Sequence, residues 1–345
     1  MEAIKVAILG ASGYTGMELV RLLLGHPAAQ ITAATSRANA GRRIDGVFPR
    51  FAQLPGSQLT FIEPDMEAVA ASGATVAFLA LPHGTAAEYA TSLLDKGIRV
   101  IDLSADFRLR KASVYEEFYG EAHPAPDLLD TAVYGLPEVH AGAIASASLV
   151  ASPGCYPTSI LLPLIPLLRE ELIDPSSIIA NSLSGVSGAG RKADLSLLFV
   201  ECNESMRAYG LPRHRHLSEI EQELSAAAGK TIVITFVPHL IPVNSGICTT
   251  TTTTLKGDLA DVEHALRSTY ENSPFVRLLG NEACPDTKNV TRTNFIDIGW
   301  QYDERTGRLL LLSAEDNLGK GAASQAVQSF NLMAGLPEMT GLSMV

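Results

Sequence analysis

An apolar strand that runs directly into closely spaced glycines and then into a helix constrains the fold of this chain most. Residues 4–10, IKVAILG, form a continuous apolar run that ends at glycine, which is typical of a buried parallel strand. Residues 15–27 have apolar side chains at helical spacing, and residues 30–36 predict a second strand. Strand, glycine turn, helix and strand in this order form a βαβ unit, so this region is predicted to be α/β.

The same alternation continues through the first half of the sequence. Residues 74–82 and 99–104 predict strands, and residues 84–97 between them predict a helix. Parallel strands that are connected by helices bury both faces of their sheet. For residues 1 to about 150 we therefore predict an open, doubly wound sheet of the Rossmann type with helices on both faces.

The second half of the sequence predicts a separate domain. Because 345 residues exceed what one hydrophobic core usually organises, two domains are expected. Residues 230–257 hold two β-rich segments that include six consecutive threonines, residues 258–272 predict a helix, and residues 295–316 predict a hairpin. The prediction is an α+β domain with a mostly antiparallel sheet. A low-complexity linker is the alternative for the threonine run.

Composition and charge argue against several classes of protein. The formal net charge is −11, which disfavours a nucleic-acid partner because a polyanion requires a basic surface. No apolar run reaches the length that spans a membrane and no export leader is recognisable, so we expect no membrane partner and a cytoplasmic protein. The four cysteines lack metal-ligand spacing, so reduced thiols and no metal site are predicted.

The turn GASGYTG predicts a dinucleotide site. Its three glycines permit a tight turn and let the backbone approach a pyrophosphate at the N-terminus of the following helix. The alternative is a purely structural turn, but the position between the first strand and the first helix favours the cofactor. The candidate cofactor contacts are Gly10, Ser12, Gly13, Tyr14, Thr15 and Gly16.

The end of the second predicted strand indicates which dinucleotide is bound. An acidic residue there would accept a hydrogen bond from the ribose 2′-hydroxyl of NAD. The sequence ATSRANAGRR, residues 34–43, has no acid, whereas Ser36 and Arg37 suit a 2′-phosphate. NADP is therefore favoured over NAD, and a solvated loop charge is the alternative for Arg37.

The segment ASPGCYPTS, residues 151–159, places a thiol at the predicted start of a helix. There the positive end of the helix dipole favours the thiolate of Cys155. A thiolate in a protein that binds a nicotinamide predicts hydride exchange at a thioester, with Cys155 as the nucleophile. The alternative is a packed, buried cysteine.

A second segment, LPRHRHLSEIEQEL at residues 211–224, supplies the base that such a nucleophile requires. His214 and His216 stand before a predicted helix, and either could move the thiol proton while the other contacts the substrate. Ser218 is predicted to cap this helix, with Glu221 three residues on. The spacing does not show which histidine is the base, and a structural role is the alternative for each.

Several loops could bind anions or the cofactor. Residues 79–85 leave a predicted strand at the carboxyl edge of the sheet, where ligands bind in such folds. Residues 182–192 form a glycine- and serine-rich loop whose backbone N–H groups could surround a phosphate or the nicotinamide amide. The candidates from the loops are Pro82, Ser187, Gly188 and Asn317 for the cofactor and Arg108, Ser184 and Arg191 for the substrate. A plain turn or a solvated charge is the alternative for each.

Taken together, these segments resemble the N-acetyl-γ-glutamyl-phosphate reductase family of arginine biosynthesis, over essentially the whole chain. The most specific segments are SPGCYPT and HRHLSEI, and the others are GASGYTG, LALPHG, DLSADFRL, YGLPE, SGVSGAGR, PHLIPVNSGI and DNLGKGAASQAVQ. The resemblance implies an NADP-binding Rossmann domain at 1–152, which a C-terminal helix at 317–345 joins. It further implies a catalytic and oligomerisation domain at 153–316, similar to that of glyceraldehyde-3-phosphate dehydrogenase, and a homodimer or homotetramer.

The resemblance also implies the chemistry. Cys155 would attack the small-molecule acyl phosphate N-acetyl-L-glutamyl 5-phosphate, and the resulting thioester would take a hydride from NADPH to give N-acetyl-L-glutamate 5-semialdehyde. His216, with His214 beside it, would supply acid–base help and substrate contacts. Backbone N–H groups at the helix start would stabilise the oxyanion.

The sequence departs from the family pattern at three positions. Ser245 stands where many relatives have arginine, Ser218 where proline is common, and Gly319 where a β-branched residue is usual. The missing arginine leaves open a carrier-linked 2-aminoadipyl phosphate as the substrate. Aspartate-semialdehyde dehydrogenase is a second alternative, and a nonenzymatic NADP-binding sensor is an alternative of another class.

Overall fold

The structure is a computed structural model that describes residues 2–342. The chain folds into two compact units. The first unit extends to Pro153 and resumes at Ala322, and the second unit is Gly154–Gly321. The second junction therefore follows Gly321, whereas the sequence predicted the last segment of the first domain to begin at 317. Of that predicted segment, residues 343–345 lie outside the described part of the chain.

The first unit is built on a parallel sheet. Its strands are β1 Ile4–Leu9, β2 Ala29–Ala34, β3 Val76–Leu79, β4 Arg99–Asp102, β5 Ala132–Tyr134 and β6 Leu149–Ala151. They are ordered β2-β1-β3-β4-β6-β5, and every described pairing among them is parallel. Its first helices are α1 Tyr14–Leu24, α2 Ile44–Val47, α3 Met66–Ala71, α4 Ala86–Asp95, α5 Ala112–Tyr119 and α6 Pro137–Ser146.

Helices cover both faces of this sheet. Ala7 and Leu9 of β1 belong to a core cluster with Ala86 and Ala90 of α4. Val6, from the other face of β1, is also completely buried. Successive strand residues point to opposite faces, so the complete burial of residues 6–9 of β1 requires cover on both sides. The α/β fold class predicted from the sequence is confirmed.

The second unit combines a seven-stranded mixed sheet with helices. Its strands are β7 Ile173–Gly185, β8 Arg207–Ala208, β9 Thr235–Ile241, β10 Ile247–Leu255, β11 Val276–Gly280, β12 Ile296–Asp303 and β13 Arg308–Glu315. Its helices are α7 Cys155–Arg169, α8 Phe199–Cys202, α9 His216–Ala228 and α10 Leu259–Tyr270. The strand order is β11-β12-β13-β10-β7-β9-β8, and most pairings are antiparallel, as expected.

The threonine run is a central strand and not a linker. Thr249, Thr251 and Thr253 are buried, while the intervening Thr250 and Thr252 are partly exposed. This alternation is that of a strand with one covered face. The run forms β10, which pairs with β7 on one side and β13 on the other.

Helix α7 forms the core of the second unit. Every residue from Tyr156 to Leu168 is buried, and the helix contacts α9, α10, β10 and β13. The chain leaves this unit through a π-helical turn, Gly319–Ala323, and then forms α11 Ser324–Met333 in the first unit. Within the first unit α11 contacts α1 and α6.

Candidate active site

The predicted nucleophile is the first residue of α7. Gly154 is the N-cap of this helix, with an extended backbone, and no side chain caps the helix. Cys155 is half-buried, and its thiol is not part of a disulfide. The first N–H groups of a helix have no intrahelical acceptor, so they can stabilise negative charge that forms beside the sulfur.

Glu219 holds His216 against the start of this helix. The His216 Nε2 lies 3.8 Å from Glu219 Oε1, one turn along α9, and the Glu219 side chain is almost completely buried. The other carboxylate oxygen, Oε2, accepts a hydrogen bond of 3.2 Å from the Gly154 N–H. One carboxylate therefore contacts both the base candidate and the N-cap of the nucleophile helix.

Only glycine fits at the N-cap. A β-carbon on Gly154 would lie 2.5 Å from His216 Nε2 and 2.8 Å from Glu219 Oε1. Real β-carbons do not approach other atoms so closely, so the missing side chain lets the imidazole reach the residue that precedes Cys155.

The second histidine has a different environment. The His214 Nδ1 accepts a hydrogen bond of 3.1 Å from the backbone N–H of His216, so the proton of the neutral ring is on Nε2. Rings of Tyr156, Tyr209 and Phe236 contact the imidazole edge-on at 5.4–5.6 Å between centroids. Burial, and secondarily the charge of the adjacent arginine, lowers the pKa of His214 to about 4.

The predicted capping of α9 is wrong. The helix begins at His216 and its N-cap is Arg215, so Ser218 already lies in the first turn. The Ser218 hydroxyl donates to the Arg215 carbonyl at 2.8 Å, and Glu221 accepts from the N–H of Ile234. These side chains bond elsewhere because the helix starts three residues earlier than the capping pattern indicated.

Two acidic residues of this site were not predicted. Glu219 follows His216 by three residues on a predicted helix, and this spacing was a readable signal. Glu315, at the end of β13, is completely buried, and its Oε1 lies 3.1 Å from where a β-carbon on Gly321 would be. The Cys155 β-carbon lies 2.8 Å from the same point. No sequence spacing connects Glu315 with Cys155, since only the fold of the second unit brings both near Gly321.

Most of the predicted loop residues of the second unit lie together. The Asn317 Nδ2 donates to Ser187 Oγ at 2.9 Å. A β-carbon on Gly188 would lie 3.3 Å from Ser184 Oγ and 3.5 Å from Asn317 Nδ2. Arg191 is exposed and follows Gly188 in the chain.

The glycine turn of the first unit has the geometry that a pyrophosphate requires. Gly10 has φ +78°, and Gly13 is the N-cap of α1, where no side chain occupies the helix end. A β-carbon on Gly16 would overlap the carbonyl oxygen of Gly10. Tyr14 and Thr15 are the first residues of α1. The residues therefore fit a dinucleotide phosphate at this helix end.

A polar cluster lies beside this turn at the end of β2. The Ser12 and Ser36 hydroxyls are 2.7 Å apart, and Asn39 Nδ2 donates to Ser36 Oγ at 3.3 Å. Arg42 donates to Asn39 Oδ1 at 3.0 Å, and Arg37 to the hydroxyl of Tyr89 at 3.1 Å. Asn39 and Arg42 lie in the segment that indicated NADP but were not singled out by the sequence.

The last two predicted residues lie in loops at the ends of sheet strands. Pro82 is exposed in the loop between β3 and α4. Arg108 is buried, and its guanidinium donates to the carbonyls of Ser152 at 2.8 Å and Leu103 at 3.0 Å. Arg108 therefore connects the ends of the adjacent strands β4 and β6.

Residues 2–342 contain neither a candidate metal site nor a helix that could cross a membrane. No group of three or more His, Cys, Asp or Glu side chains there has the arrangement of a metal site. None of the helices in this range combines the length and the apolar character needed to cross a bilayer.

Comparison with known proteins assigns the chain to a family. Residues 5–147 match the semialdehyde dehydrogenase NAD binding domain, and residues 155–317 match the semialdehyde dehydrogenase dimerisation domain. An aspartate semialdehyde dehydrogenase II of Vibrio cholerae has a similar fold, with a TM-score of 0.73 at 17% identity over 97% of this chain and 99% of that chain. At this identity the likeness concerns the fold alone.

Curated relatives are much more similar in sequence. N-acetyl-gamma-glutamyl-phosphate reductase of Akkermansia muciniphila is 61% identical over 344 residues, which is 99% of both chains. The protein of the same name from Citrifermentans bemidjiense is 48% identical over 345 residues, again 99% of both chains. The chain therefore belongs to the N-acetyl-gamma-glutamyl-phosphate reductase family.

Proposed function

We propose that this enzyme reduces N-acetyl-L-glutamyl 5-phosphate to N-acetyl-L-glutamate 5-semialdehyde and phosphate, with NADPH as the reductant. The observation that carries the proposal is a thiol at a helix start whose N-cap glycine contacts a half-buried histidine and the buried carboxylate beside it. A nucleophile, a base and a group that orients the base are the components of covalent acyl transfer. The names of the relatives supply the substrate.

In the proposed mechanism His216 takes the proton of the Cys155 thiol. The sulfur then attacks the acyl carbon and a C–S bond forms. The bond between the acyl carbon and the bridging oxygen breaks, and phosphate leaves with that oxygen. Backbone N–H groups at the start of α7 stabilise the oxyanion of the tetrahedral intermediate. NADPH, when bound, supplies the hydride that reduces the thioester. His216 then protonates the departing sulfur as the C–S bond of the hemithioacetal breaks and releases the aldehyde.

The two histidines receive different roles. His216 lies 3.8 Å from a buried carboxylate that can stabilise its protonated form, so it is the acid–base residue. His214 remains neutral near pH 7 because burial lowers its pKa to about 4. With its Nδ1 occupied, His214 presents Nε2–H and acts as a hydrogen-bond donor to the substrate.

NADP is the proposed cofactor because of the polar cluster at the end of β2. Its hydroxyl, amide and guanidinium groups can surround a 2′-phosphate, and residues 34–43, at the end of β2, include no acidic residue that would bind the 2′-hydroxyl of NAD. The other proposed cofactor contacts are the glycine turn, Pro82, Ser187, Gly188 and Asn317. The proposed substrate contacts are Arg108, Ser184 and Arg191.

We propose a homodimer or homotetramer that forms through apolar surface of the second unit. Phe199 and Val200 are 78% and 83% exposed. On β7, Ile179 and Leu183 are 39% and 37% exposed, and they point away from the buried face of the sheet. A second copy of this chain is the proposed occupant, because the family model for this unit is described as a dimerisation domain.

Light scattering of the purified protein tests this assembly. We expect a mass of two or four chains, and a smaller species for the variant with Phe199→Ser and Val200→Ser. Val233→Ser, which removes a single 69% exposed side chain of the same unit, is the matched control and should keep the wild-type mass. A wild-type monomer at micromolar concentration would contradict the proposal.

The activity is tested in the oxidative direction, with phosphate or arsenate as the acyl acceptor. N-acetylglutamate 5-semialdehyde and aspartate semialdehyde are offered side by side, each with NADP and with NAD. Turnover with the acetylated aldehyde and NADP is expected. Turnover with aspartate semialdehyde only would assign the alternative dehydrogenase activity, and inactivity with both despite NADP binding would favour the carrier-linked substrate.

Because the chemistry needs a reduced thiol, we propose the cytoplasm as its compartment.

A further inference from the structure

Two loops of the second unit are joined by one buried side-chain amide. The first is loop 185–190, which follows β7, and the second is loop 243–246, which precedes β10. The Oδ1 of Asn317 accepts a hydrogen bond of 2.8 Å from the Gly246 N–H, and its Nδ2 donates to Ser187 Oγ at 2.9 Å. Asn317 is 2% exposed, so its bond to Gly246 is shielded from water, and its bond to Ser187 is partly shielded.

The backbone that carries Asn317 is itself fixed. One oxygen of the buried Asp316 accepts hydrogen bonds from the N–H groups of Leu318 and Gly319 at 2.8 and 2.9 Å. The other oxygen accepts from the Arg292 N–H at 2.7 Å. Asn317 therefore extends from a rigid turn and not from a loose loop.

The two loops also contact each other directly. The N–H of Val186 donates to Val243 and that of Ser187 to Asn244, at 2.9 and 3.0 Å. Ser187 Oγ lies 3.2 Å from Ser245 Oγ. A β-carbon on Gly185 would lie 2.8 Å from Asn244 O, which shows how closely the backbones approach.

We infer that Asn317 is a positioning residue, which holds loop 185–190 on loop 243–246 and so places Ser187 and Gly188. A side chain here must accept from one loop and donate to the other. An amide does both without a charge, whereas a carboxylate lacks the donor. Only the expected effect on kcat rests on the proposed function, because loop 185–190 carries residues that are proposed to contact the cofactor.

The first test is Asn317→Ala, followed by amide hydrogen exchange of the free protein. We expect faster exchange in peptides that cover 243–246 and 185–190, because the Gly246 N–H loses its acceptor. Asn331→Ala is the matched control: Asn331 is an equally buried asparagine of the first unit, with donor and acceptor bonds of its own. The control should leave exchange in both loops unchanged. Unchanged exchange in Asn317→Ala would overturn the inference.

The second test compares kinetic constants of Asn317→Ala, Ser187→Ala and the double variant. A misplaced loop lowers kcat by ~10-fold or more in each single variant, while KM for NADPH changes less than about threefold. The double variant should be no worse than Asn317→Ala, because both changes break the same bond. Additive losses, or an unimpaired Ser187→Ala beside an impaired Asn317→Ala, would show that Asn317 does not act through Ser187 and would overturn the inference. If the wild type lacks the proposed activity, the exchange experiment still decides the inference.

Discussion

At the scale of single residues, the site derives its chemistry from two identical side chains in different surroundings. His216 lies 3.8 Å from a buried carboxylate, which favours an imidazole that gains and loses a proton. His214 is enclosed by aromatic rings, and its Nδ1 is occupied by a backbone N–H. Burial lowers the pKa of His214, which is why we propose separate functions for two histidines at a spacing of two residues.

The first prediction concerns the protonation of His214. Because burial lowers its pKa to about 4, the ring should remain neutral as the pH falls from about 8 to about 5.5. Nitrogen NMR of the labelled histidines measures this directly, with His214→Gln to assign the signal. A His214 resonance that titrates near pH 6.5, the usual range of histidine, would contradict the assignment of the donor role.

The nucleophile gives the second prediction. Cys155→Ser should lower kcat by ~1,000-fold or more, because a serine hydroxyl is a far weaker nucleophile at neutral pH than a thiolate. NADPH affinity should change less than about twofold, since the proposed phosphate contacts lie in the first unit. Fluorescence titration with NADPH and steady-state assays separate the two effects. Full activity in this variant would contradict the thioester mechanism.

At the scale of elements, the site depends on how closely α9 approaches the start of α7. Gly154→Ala inserts a methyl group at a point 2.5 Å from His216 Nε2. The imidazole or the helix start must move, so we expect kcat to fall by ~10- to 100-fold, as small displacements at reacting groups do. The cost in stability should be small in comparison, and thermal unfolding measured beside the kinetics tests this separation.

Gly142→Ala is the control for this change. Gly142 lies within α6, and a β-carbon there would contact nothing within 4 Å. Alanine in a helix interior should stabilise the protein by about 0.5–1 kcal/mol and leave kcat unchanged. Equal kinetic losses in both glycine variants would mean that His216 does not require the open N-cap.

The same elements show what the sequence could predict and what it could not. The strand–turn–helix order around Gly10, the β10 strand and the start of α7 at Cys155 depend on local patterns, and the structure has them where expected. The start of α9 was misplaced because the Ser218 hydroxyl bonds back to its own helix. Asn317 joins residues 71 and 130 positions away, and no spacing in the sequence encodes such contacts.

At the scale of the whole molecule, two buried groups of the first unit make stability depend on pH in opposite directions. Burial lowers the pKa of His26, which contacts Asn331 at 2.9 Å. The unfolded chain therefore binds this proton more readily, and stability should fall as the pH decreases below about 6.5. Urea unfolding at several pH values should show a weaker decrease for His26→Gln, and an unchanged pH dependence would exclude His26 as its source.

Asp102 makes the stability of the protein depend on pH in the opposite direction. Burial, and secondarily the charge of Asp106, raises its pKa to about 7, although hydrogen bonds from Ser104 oppose the shift. A raised pKa means that the folded state holds the proton more tightly, so this stabilisation is complete below about pH 4 and is lost as the pH rises through 7. One proton changes the unfolding free energy by at most about 1.4 kcal/mol per pH unit.

The Asp102→Asn variant tests this. Its amide cannot ionise and can keep the bonds to Ser104, so the unfolding free energy of the variant should vary less between pH 5 and about 8 than that of the wild type. Parallel curves for the two proteins would show that Asp102 is ionised throughout this range in the folded state, and the pH dependence would then have to come from other groups.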